Sequence, residues 1–450
     1  MKKLFLIVAS SLMLSSFAFA GGLLTNTNQH AAFLRILSRD AIIGIDGVYS
    51  NPAGLAFMRQ GIHLSITWQA AFQKRLIHSE NELYQKNVNN PSNKRFFKGK
   101  AVAPVVPSFQ IACVFNEKWS VSTSFAVSGG GGKCDFEDGL SMFEELVAVK
   151  MAQAKAKNYA LDQFMEGRQF YHGLQVGATY RPLRLLSVYA GVRGIWARCS
   201  YTGGIRDIKA EGKAASEYLG GLASMVPDGD MKNELMAGAI LMKENFSLDC
   251  AQSGNGITPI LGVDFKAGNL NMAAKYEFRT KIVLENDSEN SVNVNMLMGD
   301  TYNDGAKHRS DIPSIFTLGA QYSLPKARIN AGMHYYWDKK AKGTPTDVSE
   351  NTWEASFGVE YDINEKLLVS SGLQRTQYGF KDGDIKETHF NINSTGLGIG
   401  FQYKFTEDMA LNLGYMHNFY ENHKLHTLAG SKNEYTRKND VIGISLNFSI

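Results

Sequence analysis

Three cations and three carboxylates pose the first chemical question. Arg193, Lys275 and Arg279 fall on the polar phase of segments that alternate apolar and polar residues. A buried cation there could match a carboxylate that would be costly to hold unpaired away from water. Glu277, Glu354 and Glu360 share that phase, and mutual ion pairing is the plainer account of all six. If the cations bind carboxylate, the interior selects acids. If they are all paired, neutral hydrophobic ligands are as plausible.

Catalytic chemistry has little to stand on. The chain has no Gly-x-Ser-x-Gly elbow, no His-Glu-x-x-His, no phosphate loop and no Cys-x-x-Cys. His417, His423 and His426 read as solvated histidines, and Asp300, Asn303 and Asp304 lack the spacing of a calcium loop. Neither a metal nor a cofactor is expected. Gly396, Gly398 and Gly400 lie in a strand with no helix after it, which suggests close backbone packing and not a nucleotide site. Cys113 and Cys199 fall in strand-like segments, while Cys134 and Cys250 fall in two long stretches read as loops; a disulfide between these two would staple the loops after export.

The elements that must position these residues begin with a leader. Lys2 and Lys3, the apolar run Leu4 to Leu14 and Ala18-Phe19-Ala20 have the layout of a secretory signal over 1–20, with cleavage before Gly21. No later window approaches the ~18 apolar residues of a transmembrane helix. The 47 basic and 43 acidic residues are well mixed, which is no footprint for nucleic acid. With 43 glycines and 11% aromatics against 10 prolines, the composition suits an all-β chain with many reversals.

Residues 21–61 are rich in apolar side chains without strand alternation. Ala31 to Leu37 could form a short helix, broken by Ser38-Arg39-Asp40, and the segment closes at Asn51-Pro52-Ala53-Gly54. From Ile62 a period-two signal takes over and returns as fourteen runs, the last being Ile442, Ile444, Leu446, Phe448 and Ile450. Turns are short after the even-numbered runs and loops are long after the odd-numbered ones, the asymmetry of an outer-membrane barrel. Many runs end in an aromatic residue, as at Tyr180, Tyr322, Trp337, Tyr361, Tyr403 and Tyr415, which suits an interfacial girdle. Two stretches, Gly129 to Arg168 and Gly203 to Asn255, carry helical periodicity: Phe143, Leu146, Val147 and Met151 in the first, Leu235, Met236 and Ile240 in the second. These stripes either pack together and cap the barrel or form part of a ligand groove. Gly129-Gly130-Gly131-Gly132 weakens strand pairing at the end of the third run and is the best local candidate for a gap in the wall, although a flexible loop entry is the plainer reading.

The Asn51-Pro52-Ala53 motif closing a plug-length segment, followed by fourteen alternating runs with helical outer loops, resembles the FadL family of outer-membrane long-chain fatty acid transporters and their toluene-channel relatives. The resemblance implies an all-β fold: a monomeric 14-stranded antiparallel transmembrane β-barrel over 62–450, surrounded by outer-membrane lipid, with a hatch over 21–61. It also implies passive, non-enzymatic uptake of a fatty acid or hydrocarbon. The ligand would pass from an outer-loop groove to a pocket beside the hatch and leave sideways at a kink in the third strand. Ile450 departs from the usual terminal aromatic residue. The rival is a structural or interaction barrel; a general porin is disfavoured because 21–61 would obstruct it.

Overall fold

The computed structural model describes residues 29–343, 349–387 and 390–450. The leader expected over 1–20 and the first residues of the 21–61 segment lie outside the described residues.

Polar residues point inward here and apolar ones outward. In the first strand Ile62, Ile66, Trp68 and Phe72 are exposed, while His63, Ser65, Thr67 and Gln69 between them are buried. This inverts the pattern of a soluble barrel and is what lipid demands of a sheet. Fourteen strands form the wall. The first seven are β1 (Gly61–Glu80), β2 (Lys94–Val114), β3 (Trp119–Phe136), β4 (Tyr159–Leu183), β5 (Leu186–Ala210), β6 (Phe246–Ala267) and β7 (Leu270–Glu277). The rest are β8 (Ile315–Ser323), β9 (Ala327–Tyr336), β10 (Trp353–Asp362), β11 (Leu367–Gln377), β12 (Ser394–Lys404), β13 (Met409–Tyr420) and β14 (Lys432–Ser449). Each pairs antiparallel with the next, and β1 returns to β14 from His63↔Ser449 to Glu80↔Lys432. Ile62 and Ile450 exchange both backbone hydrogen bonds at 2.8 Å. With every strand paired on both sides the barrel has no edge, the condition for spanning a bilayer as a sheet. Four short strands, Lys213–Ala214, Val283–Ser288, Lys307–Arg309 and His423–His426, extend the wall beyond the long-loop rim.

Turns and loops alternate as the sequence predicts, but β1 to β6 run 18 to 25 residues and climb well into the stretches read as loops. Their upper halves escape the apolar signal because outward positions there, such as Lys133 and Glu166, sit above the apolar belt and pair with each other at 2.7 Å. Cys134 therefore lies on β3 and Cys250 on β6, with β4 and β5 between them. At ~4.8 Å per strand they stand roughly 14 Å apart, outside disulfide reach. All four cysteines are free thiols, which corrects the expected staple.

Helices occupy the ends of the barrel. In the N-terminal segment are α1 (Ala31–Ile36) and α2 (Gly47–Ser50), then a 3₁₀ turn over Pro52–Phe57. The outer loops carry α3 (Ser141–Gln153), α4 (Ala215–Ser224), α5 (Asp230–Leu241) and α6 (Val292–Met298). The largest apolar core lies at the outer end, where Leu146, Val147 and Met151 of α3 pack against inward residues such as Phe97, Tyr171 and Ile195.

Candidate functional site

Residues 29–58 lie against the inner face of the wall, and glycine permits the approach. A Cβ on Gly398 would stand 2.5 Å from the Leu34 carbonyl and 2.9 Å from Leu37 Cγ; one on Gly358 would stand 2.6 Å from the Ile36 carbonyl. The close packing expected of Gly396, Gly398 and Gly400 is thus with α1 and its C-cap Leu37, which turns left-handed at φ 58°. Charge fixes what packing begins. Arg35 reaches Glu360 on β10 at 2.6 Å, and Arg39 bridges Glu360 at 3.1 Å and Asp46 at 2.7 Å. Burial alone would raise the Asp46 carboxyl, but Arg39 holds it down at about 2. Asp40 accepts from His334 on β9 at 2.9 Å.

Asn51, Pro52 and Ala53 are each gripped by a different strand. The Asn51 side-chain amide donates to Asp264 on β6 at 2.5 Å and to the Ile42 carbonyl at 3.0 Å. Thr179 on β4 donates to the Pro52 carbonyl at 2.8 Å, and Ser187 on β5 to the Ala53 carbonyl at 2.6 Å. Proline at 52 suits the start of the 3₁₀ turn because no partner is needed for an N–H there. Ala53 is fully buried. The motif is legible in sequence; its wall partners Thr179, Ser187 and Asp264 are not, since isolated polar residues on an inward strand phase give no local signal.

The three cations are all engaged. Glu277 pairs with Arg193 at 2.6 Å and with Lys275 at 2.8 Å. Lys275 also donates to the Tyr49 carbonyl at 2.7 Å, Arg193 to Gln175 at 2.7 Å, and both cations lie near the Tyr49 ring at 4.8 and 5.0 Å. Arg279 is elsewhere: it meets Asp311 at 3.7 Å and the Lys340 carbonyl near the outer rim. Of the carboxylates, Glu354 takes hydrogen bonds from Tyr336 and Thr376 at 2.6 and 2.8 Å. Between the N-terminal segment and the wall is a cavity of about 50 Å³ bordered by Gln29, Phe33, Tyr49, Gln110, Lys275 and His334. That volume holds a few waters and falls short of a ligand pocket. On the turn side, beyond the Arg39–Asp46 pair, opens a vestibule of about 1090 Å³ lined by Arg35, Lys326, Arg328, Glu360, Lys366 and Lys404. An apolar molecule would meet a ring of charge on that axial path.

The wall is interrupted between β2 and β3, and a second break lies beside β6, where pairing passes from Ile260↔Glu277 to Ser253↔Glu285. The β2–β3 ladder runs from Gly99↔Phe136 to Val102↔Lys133, breaks, and resumes at Ser108↔Ala126. On β2 the unpaired residues are Ala103 to Pro107, where Pro104 and Pro107 have no N–H to donate. On β3 they include Gly129 to Gly132, which stay with β4 through two register shifts while Gly130 and Gly132 adopt φ of 109° and 69°. The glycine tract is therefore a bulged strand and not the flexible loop entry that is the plainer sequence reading. The prolines are the half of this feature that the sequence reading misses, and strand-interior proline is the signal that would have found them. Ser108, the first re-paired residue, donates to the Gln29 carbonyl, so the break lies beside the small cavity that Gln29 and Gln110 border.

The outer helices divide the residues proposed for a groove. Leu146, Val147 and Met151 are buried in α3 and Phe143 is half-buried, so the first set caps the barrel. Leu235 on α5 packs partly against the same core, whereas Met236 and Ile240 are exposed at 44% and 58%. Met236 and Ile240 lie one turn apart on the same face of α5, and Met225 and Met231 are also exposed in the α4–α5 pair. The two sets meet where Lys150 of α3 donates to the Glu234 carbonyl of α5 at 2.9 Å.

Known structures share this fold. A FadL homologue from Pseudomonas aeruginosa superposes with a TM-score of 0.66 at 14% identity, covering 95% of this chain and 99% of that one. The toluene transporter TodX of Pseudomonas putida gives 0.57 at 16% identity, covering 90% and 94%. The toluene transporter TbuX of Ralstonia pickettii gives 0.54 at 16%, covering 97% and 99%. Residues 314–430 match a family model described as a putative MetA-pathway of phenol degradation. No curated protein matches the chain.

Proposed function

We propose that this barrel carries neutral hydrophobic small molecules passively across a Gram-negative outer membrane, with residues 29–58 as the hatch and the β2–β3 break as the lateral exit. The observation that carries the reading is the conjunction of an obstructed axis with the β2–β3 ladder break, which combines two prolines with a glycine bulge and lies beside the small cavity. The α1–Glu360 ion cluster and the charged vestibule oppose an apolar molecule moving along the axis, while the β2–β3 ladder lacks hydrogen bonds over Ala103 to Pro107. Cargo would first adsorb on the exposed face of α5 that carries Met236 and Ile240, where a flexible thioether adapts to varied shapes. The toluene transporters among the structural neighbours support a hydrocarbon cargo. So does the pairing of Arg193 and Lys275 by Glu277, which leaves neither cation to select a carboxylic acid.

A reversible staple tests the exit. A Cβ on Gly132 would lie 3.5 Å from the Ala103 Cβ, within disulfide range. In a background with the four native cysteines replaced by serine, Ala103→Cys with Gly132→Cys is expected to abolish uptake of labelled toluene when oxidised and to restore it on reduction. Uptake that is indifferent to the redox state would defeat the lateral route. A structural or interaction barrel would take up no hydrocarbon in either state.

A further inference from the structure

The outward face of the wall carries a charge row that hydrocarbon transport does not use. On β1 the exposed phase is apolar from Ile62 to Phe72 and then changes to Lys74. At ~3.4 Å per residue and a tilt near 40° this stretch rises roughly 25 Å, the height of the apolar band of an outer-membrane barrel. Lys74 thus stands at the level of the outer headgroups. It is in register with Lys438 on β14 and with Lys100 on β2. Lys98 stands one outward-facing position further along β2, opposite Leu76. All four lysines are exposed.

Three like charges directly opposite one another on adjacent strands repel and destabilise a sheet. Nearby carboxylates, Glu137, Asp135 and Asp138 about Lys100 and Asp440 beside Lys74, offset part of that repulsion. Lys100 meets Glu137 at 3.0 Å, a contact between two exposed side chains. Asp440, beside Lys74, is held by the Tyr415 hydroxyl at 2.6 Å and His417 at 2.7 Å. Lys74, Lys98 and Lys438 have no hydrogen bond or ion pair among the described residues. Below the row, exposed Phe72 and Val102 offer apolar surface, and Phe96 flanks it above.

We propose that Lys74, Lys98, Lys100 and Lys438 bind the phosphate groups of an anionic glycolipid in the outer leaflet, its acyl chains lying along Phe72 and Val102. The reading depends on the outer-membrane location proposed above but not on the cargo. Multiple lysines fit a phosphate as point charges, and a lipid-borne phosphate is delivered at this height by the bilayer itself.

The test uses the full-length barrel in neutral detergent, with native mass spectrometry counting bound molecules. The probes are a bis-phosphorylated lipid A-type glycolipid, the same lipid dephosphorylated, and inorganic phosphate. The wild-type barrel should retain the phosphorylated lipid, and the K74Q/K98Q/K100Q/K438Q variant should retain at least about tenfold less. Equal retention by the variant, or equal retention of the dephosphorylated lipid, would overturn the site; displacement of the lipid by inorganic phosphate would make it a free-anion site and overturn the lipid assignment. In lipid-free detergent the variant should unfold at a higher temperature, because repulsion has been removed. A lower temperature would mean the lysines are structural and would also overturn the proposal. Lipid retention with no toluene uptake would uphold this site while refuting the transport reading, so the two fail separately.

Discussion

At the level of single residues, Glu360 does most to hold the N-terminal segment. It receives Arg35 and Arg39 from that segment and Arg328 from the wall, all with little exposure to water at the carboxylate. Glu360→Ala leaves Arg35 without its carboxylate, although Arg39 keeps Asp46 and Arg328 keeps Asp362, and removing one partner of a buried pair costs about 3–5 kcal/mol. The loss should appear as release of the hatch and not as unfolding of the barrel: single-channel conductance in planar bilayers rises, while the heat-resistant mobility of the folded barrel is kept. Asn51→Ala should act more weakly, costing about 1–3 kcal/mol by leaving the buried Asp264 with the Asn271 amide as its remaining donor. Equal conductance in both variants and wild type would mean that neither contact holds the hatch. The sequence reading names Asn51 from its turn chemistry and Glu360 as an inward carboxylate. It cannot pair Glu360 with Arg35, because that contact spans most of the chain.

At the level of elements, α1 and α3 are held by opposite means. Glycine faces α1, so Gly398→Val should push the helix off the wall by a clash with Leu34 and Leu37. Increased protease cleavage within 29–58, with the barrel intact, is the expected readout. The helix α3 is latched by buried carboxylates instead. Glu387 accepts from the Met142 amide at 3.0 Å, binds the Ser141 hydroxyl at the start of α3, and accepts from Asn433 at 3.1 Å. Burial, with Glu145 nearby, pushes its carboxyl up to about 7. A raised acid binds more protons folded than unfolded, so its contribution is present at pH 4.5 and lost as the pH rises to about 7. Amide exchange across Ser141–Gln153 should therefore quicken over that window in the wild type, and Glu387→Gln should flatten the profile. Asp46 works in the opposite direction, since a carboxyl held at about 2 loses its contribution only as the pH falls below 3.8. The sequence reading offers α1 as a short helix and finds α3 by its periodicity, but leaves open whether the α3 stripe caps the barrel or lines a groove. A helix lodged in the mouth of a barrel is covered on nearly all sides, which an apolar stripe alone does not reveal.

At the level of the whole molecule, alternation settles the barrel because lipid imposes it on every strand, and for the same reason it falls silent above the apolar belt. Phe72 is the last outward apolar position before Lys74 on β1, yet the strand continues to Glu80. Strand count and turn asymmetry were therefore legible, whereas strand length and the positions of Cys134 and Cys250 were not. The same division bears on the route of transport. If residues 29–58 block the axis and the β2–β3 break serves cargo, the two should separate on mutation. Deleting 29–58 should raise ion conductance without restoring hydrocarbon uptake to a barrel whose Ala103→Cys and Gly132→Cys staple is oxidised. The stapled, hatchless barrel would leave a hydrocarbon only the axial path past Arg328, Lys366 and Lys404, where an apolar molecule gains nothing from charge. Ions would pass and toluene would not. Toluene uptake at the wild-type rate through that doubly altered barrel would show that the axis is the working route, and the break in the wall would then need another explanation.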